Sequence, residues 1–199
     1  NDAEYLYSKG IKALVVACNT ATSAGIGLLR KRYTDIPVIG IEPALKPAVL
    51  SAEHPTVLVM ATPMTLREEK FRCLMQRFEE KAEIMPLPCP GLMEFVERGE
   101  LQSEALEQYL YNLFAPYEKV DAVVLGCTHY PFVRKMIKKV LGDGVVLFDG
   151  GEGTARETRR QLEERRLLSL SEETGKVIFE NSAKEEKLLK LCVELLNYE

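Results

Sequence analysis

The chain has 199 residues, 46% hydrophobic and 28% charged, enough to bury a core in one domain or two small ones. A formal net charge of -4 with a pI near 5.5 excludes the basic footprint of a nucleic-acid or anionic-membrane binder. No apolar run approaches the length that spans a bilayer, no signal peptide is visible, and five irregularly spaced cysteines make no disulfide framework. The expectation is a soluble cytoplasmic protein with reduced thiols.

In chain order, "NDAEYLYSKG" lacks an initiator Met and reads as a helix tail with Gly10 just past its end, so the chain is expected to begin inside a longer protein. "IKALVVAC" (11–18) reads as a buried strand and "TSAGIGLLRKRY" as the helix after it. "IPVIGI" (36–41) is a strand, "ALKPAVL" the start of a helix, and "TVLVMAT" (56–62) the next strand. In "TPMTLREEKFRCLMQRFEEKAE", Thr62 is a natural N-cap and Pro63 the first helical residue. Leu66, Phe71, Leu74, Met75 and Phe78 then share one helical face.

"PLPCPG" (86–91) reads as a Pro-rich loop, followed by helices around "LMEFVERG" and "LQSEALEQYLYNLFAPY". "VDAVVLGC" (120–127) is a buried strand, "YPFVRKMIKKVL" a helix and "GVVLFD" (144–149) a strand. "TARETRRQLEERRLL" opens with a Thr154…Glu157 capping box. A strand in "KVIFE" (176–180) and a helix in "AKEEKLLKLCVELLNY" close the chain. The basic clusters "RKR" and "RETRR" lie among acids on helical patterns and read as solvated faces. Continuous apolar strands alternating with helices predict an α/β architecture of mainly parallel sheet covered on both faces.

Two segments repeat. "IKALVVACNT" lies over "VDAVVLGCTH" with Cys18 on Cys127, each an aliphatic strand, a small residue, a cysteine, then hydroxyl and amide or imidazole side chains. In open α/β sheets ligands bind beyond the carboxyl ends of the strands, where both thiols are expected. A Cys-His hydrolase would place its imidazole elsewhere than two residues from its thiol, and no oxyanion motif stands out. A zinc site needs three or four ligands, for which Cys127, His129 and a distant Cys18 are thin support. A redox pair would show Cys-x-x-Cys, which is absent. Two-base proton transfer at a carbon centre instead needs a base on one face and an acid on the other, which a pair of thiols supplies. Asn19, Thr20, Thr128 and His129 offer donors for a carboxylate and for charge on sulfur. The residues alone leave these chemistries open.

"ACNTATS", "IPVIGIEPALKPAV" and "GCTHYPF", in this order and spacing, resemble the glutamate racemases of the aspartate/glutamate racemase superfamily, from about Lys9 to about Leu162. The resemblance implies cofactor-independent interconversion of L- and D-glutamate, supplying D-glutamate for peptidoglycan, with no metal. It assigns catalysis to Cys18 and Cys127 with His129 and Glu97, and substrate binding to Asn19, Thr20, Thr128 and His129, with Thr62 and Thr65 holding a carboxylate. "CPGLMEFVERG" resembles the family's Cys-Pro stretch ending in an acid, which makes Glu97 an electrostatic partner of Cys127 or His129. The family's Asp-Ser-Gly-x-Gly-Gly strand end and Pro-Tyr-Gly loop have no counterpart in these 199 residues, so the first domain is expected to be incomplete.

The implied organisation is two pseudo-symmetric α/β domains, residues 1–46 with 150–199 and residues 47–149, with the active-site cleft between them. A glutamate-binding homodimer with no nucleic-acid or membrane partner is expected. The alternatives are a related enzyme such as an aspartate racemase, or a truncated inactive homologue acting as a binding protein. Cys73 and Cys192 read as helix packing, Cys89 as loop structure, His54 as a surface loop residue and Asp149 as a turn former.

Overall fold

The computed structural model describes residues 2–171, 173–183 and 185–198. In chain order the elements are α1 (Asp2–Ser8), β1 (Leu14–Val16), α2 (Asn19–Arg32), β2 (Val38–Gly40), α3 (Leu45–Val49), β3 (Thr56–Ala61), α4 (Pro63–Arg67), α5 (Glu69–Gln76) and β4 (Glu83–Pro88). They continue with α6 (Leu92–Glu97), α7 (Glu104–Phe114), β5 (Ala122–Leu125), a 3-10 helix (Tyr130–Val133), α8 (Arg134–Leu141), β6 (Val146–Asp149), α9 (Gly151–Glu164) and α10 (Glu186–Leu196).

The strands form two parallel sheets, β1-β2 and β4-β3-β5-β6. In the larger sheet the period-2 alternation of a strand sorts residues between two cores. Leu58, Met60, Val123 and Leu125 face a cluster built with α6, α7 and α8, while Val57, Val59, Ala122 and Val124 face α3 and Phe71 of α5. Both faces are covered, which is why these strands read as unbroken apolar runs. The smaller sheet packs Leu14 and Val38 against Ile26 of α2. At Gly40 an added Cβ would lie 2.5 Å from the Thr22 methyl, so this crossing of helix over strand needs a glycine.

Four expectations change. The segment "PLPCPG" is not all loop, because residues 83–88 form the edge strand β4 in register with β3. Glu83 N–H donates to Pro55 and Cys89 N–H to Ala61, so alternate residues face β3 and Pro86 and Pro88 lie at positions whose nitrogen faces away. The long helix after Thr62 breaks at Glu68, whose extended backbone (ψ 133) separates α4 from α5, and α5 ends at Gln76. Thr154 opens no capping box: α9 starts at Gly151, the Thr154 hydroxyl donates to Gly150 O, and Glu157 binds Arg160 and Gln161. No strand forms at 176–180, where Val177 and Ile178 are exposed.

α9 lies against β2, whereas α10 lies against the loop after α6. Leu195 and Tyr198 pack on the α6–α8 core. Arg156, Arg159 and Arg160 form exposed ion pairs along α9, the solvated face read from "RETRR".

Candidate active site

Three strand ends build the site. β1 runs through Ala17 into Cys18, the N-cap of α2, so Asn19 and Thr20 occupy that helix's first turn. β3 runs into Thr62, which caps α4 by accepting a hydrogen bond from Thr65 N–H at 3.2 Å. β5 runs through Gly126 into Cys127. Gly126 N–H donates to Met60 O at 2.7 Å, and a Cβ at this position would meet that same oxygen at 2.6 Å. The close approach requires glycine and sets Cys127 beside the end of β3. In the larger sheet the chain order turns back between β3 and β5, the topological switch point where open α/β sheets bind ligands.

The two sheets meet through hydroxyls. Thr20 Oγ1 lies 2.7 Å from Thr65 Oγ1 and 3.5 Å from Thr62 Oγ1, and Thr62 and Thr65 are 3.0 Å apart. Lys70 Nζ adds a contact to Ser23 O at 3.2 Å. Asn19 is buried, and its Oδ1 has no hydrogen-bond partner among the described residues. It lines a cavity of about 500 Å³ that also touches Thr65 and runs between α2 and α5, and neither Cys18 nor Cys127 lines it.

Cys18 is exposed and Cys127 buried. Burial pushes the Cys127 thiol above its ordinary range. The N–H groups of His129 and Thr128 and the Thr128 hydroxyl pull the other way. His129 Nδ1 is 3.6 Å from Cys127 Sγ and 3.5 Å from Thr128 Oγ1, while Nε2 is 3.5 Å from Glu97 Oε1. Imidazole therefore stands between the second thiol and a carboxylate. Among the described residues no three His, Cys, Asp or Glu side chains gather as metal ligands.

Every candidate residue from the sequence lies at one of these strand ends or, for Glu97, against His129. Cys73 is exposed rather than packed, because the face of α5 turned to the core carries Phe71 and Leu74. Cys89 is buried where β4 ends. Sequence reasoning missed Tyr130, fully buried with its hydroxyl on Cys89 O. The available signal was its position one residue after the motif histidine. It also missed the ion pair of Arg134 with Asp149, which adds to the Asp149 turn bond from Gly151 N–H.

Parallel layers whose strand ends carry two thiols beside a cluster of threonine hydroxyls have the make-up of an amino-acid racemase, an isomerase. The sequence model for Asp/Glu/hydantoin racemases matches residues 1–158. A glutamate racemase of Clostridium acetobutylicum is 51% identical over 199 residues, 99% of this chain and 77% of that protein. The Escherichia coli glutamate racemase, solved with L-glutamate and the activator UDP-MurNAc-Ala, superposes with a TM-score of 0.71 at 33% identity, over 77% of this chain and 59% of its own. The Francisella tularensis glutamate racemase, solved with D-glutamate, shares the fold at a TM-score of 0.81 and 24% identity, covering 100% of this chain and 74% of its own. The chain belongs to the Asp/Glu/hydantoin racemase family, and these relatives within it are glutamate racemases.

Proposed function

We propose that this protein interconverts L- and D-glutamate by two-cysteine proton transfer without a cofactor, supplying D-glutamate for peptidoglycan in the cytoplasm, and that it works as a homodimer. Residues 47–149 form one domain and 1–46 with α9 the core of the other. The supporting observation is the pair of thiols at equivalent strand ends, Cys18 after β1 and Cys127 after β5, beside the cluster of threonine hydroxyls. Burial keeps Cys127 protonated near neutral pH, the state required of a proton donor. Cys18 stands exposed at the N-cap of the 14-residue α2.

In one direction the Cys18 thiolate takes the α-proton, and Cys127 delivers one to the opposite face of the planar carbanion. To reset the site, Cys18 releases the abstracted proton to solvent and His129 passes a solvent proton to Cys127, with Glu97 holding charge on the imidazole. In the other direction the roles reverse. Thr20, Thr62, Thr65 and Thr128 bind the carboxylates, and the unpartnered Asn19 Oδ1 accepts from the substrate ammonium.

The test is α-proton exchange of L- and D-glutamate in deuterated water, with aspartate offered in parallel. Exchange and racemisation are expected with glutamate, and Cys18→Ser or Cys127→Ser should lower racemisation by a factor of about 100 or more. Undiminished racemisation in either variant would overturn the two-thiol mechanism.

A further inference from the structure

We propose that Tyr130 is a positioning residue for the Cys127–His129–Glu97 array: its hydroxyl fixes, through the Cys89 carbonyl, the turn from which α6 carries Glu97. The inference rests on the acid–base reading of that array. Glu97 and His129 face each other at 3.5 Å with side chains 51% and 28% exposed, so water screens their attraction and burial does not lock them. Their spacing must therefore come from the backbones that carry them. His129 immediately precedes the 3-10 helix Tyr130–Val133, and Glu97 ends α6.

Tyr130 touches both supports. Its backbone follows His129, and its fully buried ring reaches the turn before α6, where the hydroxyl donates to Cys89 O at 3.3 Å. The same carbonyl accepts from Leu92 N–H at 3.5 Å, the first residue of α6. A second tyrosine holds the next carbonyl: Tyr109 OH of α7 donates to Pro90 O at 2.9 Å, with its ring 5.6 Å from Phe95 of α6. Gly91, at φ +86, completes the turn and stands at the N-cap of α6. Leu92 and Val96, fully buried, then fix the helix rotation that turns Glu97 toward His129. Two hydroxyls on successive carbonyls thus clamp one end of a six-residue helix whose other end carries the carboxylate.

The test compares Tyr130→Phe, Glu97→Gln and the double variant. Tyr130→Phe keeps the ring and should lower kcat about three- to tenfold with KM within about twofold, the pattern of a lost transition-state interaction. The double variant should lose no more than Glu97→Gln alone, because both changes act through one carboxylate. The chain has two histidines, so the His129 ring signals can be followed by NMR with His54 as internal control. They should shift in Tyr130→Phe as in Glu97→Gln, with His54 unmoved, and Tyr109→Phe should produce a smaller shift of the same sign. Multiplicative losses of kcat, or His129 signals unchanged by Tyr130→Phe, would overturn the proposal. If Glu97→Gln leaves kcat unchanged, the acid–base reading of Glu97 falls, and the NMR comparison still decides whether Tyr130 places it.

Discussion

Cys89 and Cys127 are both buried thiols beyond the carboxyl ends of strands in one sheet, and their surroundings differ. At Cys127 burial raises the thiol, and the N–H groups of His129 and Thr128 with the Thr128 hydroxyl oppose it. At Cys89, burial dominates and pushes the thiol from an ordinary 9.0 up to about 12, and its proton is donated to Leu87 O at 3.3 Å. A group whose folded pKa is raised holds its proton where the unfolded chain has released it. Stability should therefore fall as pH rises from about 9 toward 12, with nothing lost below that window. Cys89→Ala, at a cost of about 1 kcal/mol for the small cavity, should flatten this decline. Melting temperatures between pH 8.5 and 10.5 check it, and an unchanged slope in the variant would sink the assignment. Alkylation should follow exposure, with Cys18 labelled first, the buried Cys127 more slowly and Cys89 not until the protein unfolds.

Between residue and fold stand the strand ends, and Gly126 shows how tightly one of them is held. A methyl group there would meet Met60 O at 2.6 Å and the Ala61 side chain at 3.3 Å. Because the obstacle is backbone in the sheet centre, relief requires β5 to move away from β3 at its carboxyl end. Gly126→Ala should cost about 1–3 kcal/mol and lower kcat by displacing Cys127, while Gly144→Ala, with open space around it, should do neither. Urea melts with parallel exchange assays test this, and a stable, fully active Gly126→Ala protein would count against it. What was legible in the sequence follows the same line. Cys18, Thr62 and Cys127 each follow directly on an apolar run, so a local pattern reports both the strand and what it aims. β4 was hidden because its prolines signal a loop, and their alternation with paired N–H groups is a property of register with β3. The Glu68 break was hidden because the apolar face continues across it. Tyr130 on Cys89 and Arg134 on Asp149 span 41 and 15 residues, and no periodicity encodes such pairs.

Two contacts between the layers stand out among the described residues. One is the hydroxyl contact of Thr20 with Thr62 and Thr65, reinforced by Lys70 on Ser23. The other is where the chain passes between layers, at Ile41–Glu42 going out and Asp149–Gly151 coming back. These two passages touch: a Cβ on Gly150 would lie 2.4 Å from Glu42 O and 2.8 Å from the Ile41 side chain. Arg134 ties the returning strand to α8, the helix that follows the Cys127 motif, and Asp149 Oδ1 receives Gly151 N–H at 2.8 Å. Where the chain passes between the layers, a glycine is packed under a carbonyl. Gly150→Ala must part the two passages. The expected cost is about 1–3 kcal/mol, a fall in melting temperature of roughly 2–10 °C for a chain of this size. The same change should widen the gap between the thiols. In a Cys73→Ser/Cys192→Ser background a short bismaleimide should bridge Cys18 and Cys127, and adding Gly150→Ala should reduce that yield severalfold while single labelling of Cys18 persists. Equal bridging and an equal melting temperature would show that the passages yield to a methyl group, and that the hydroxyl contact alone holds the layers together.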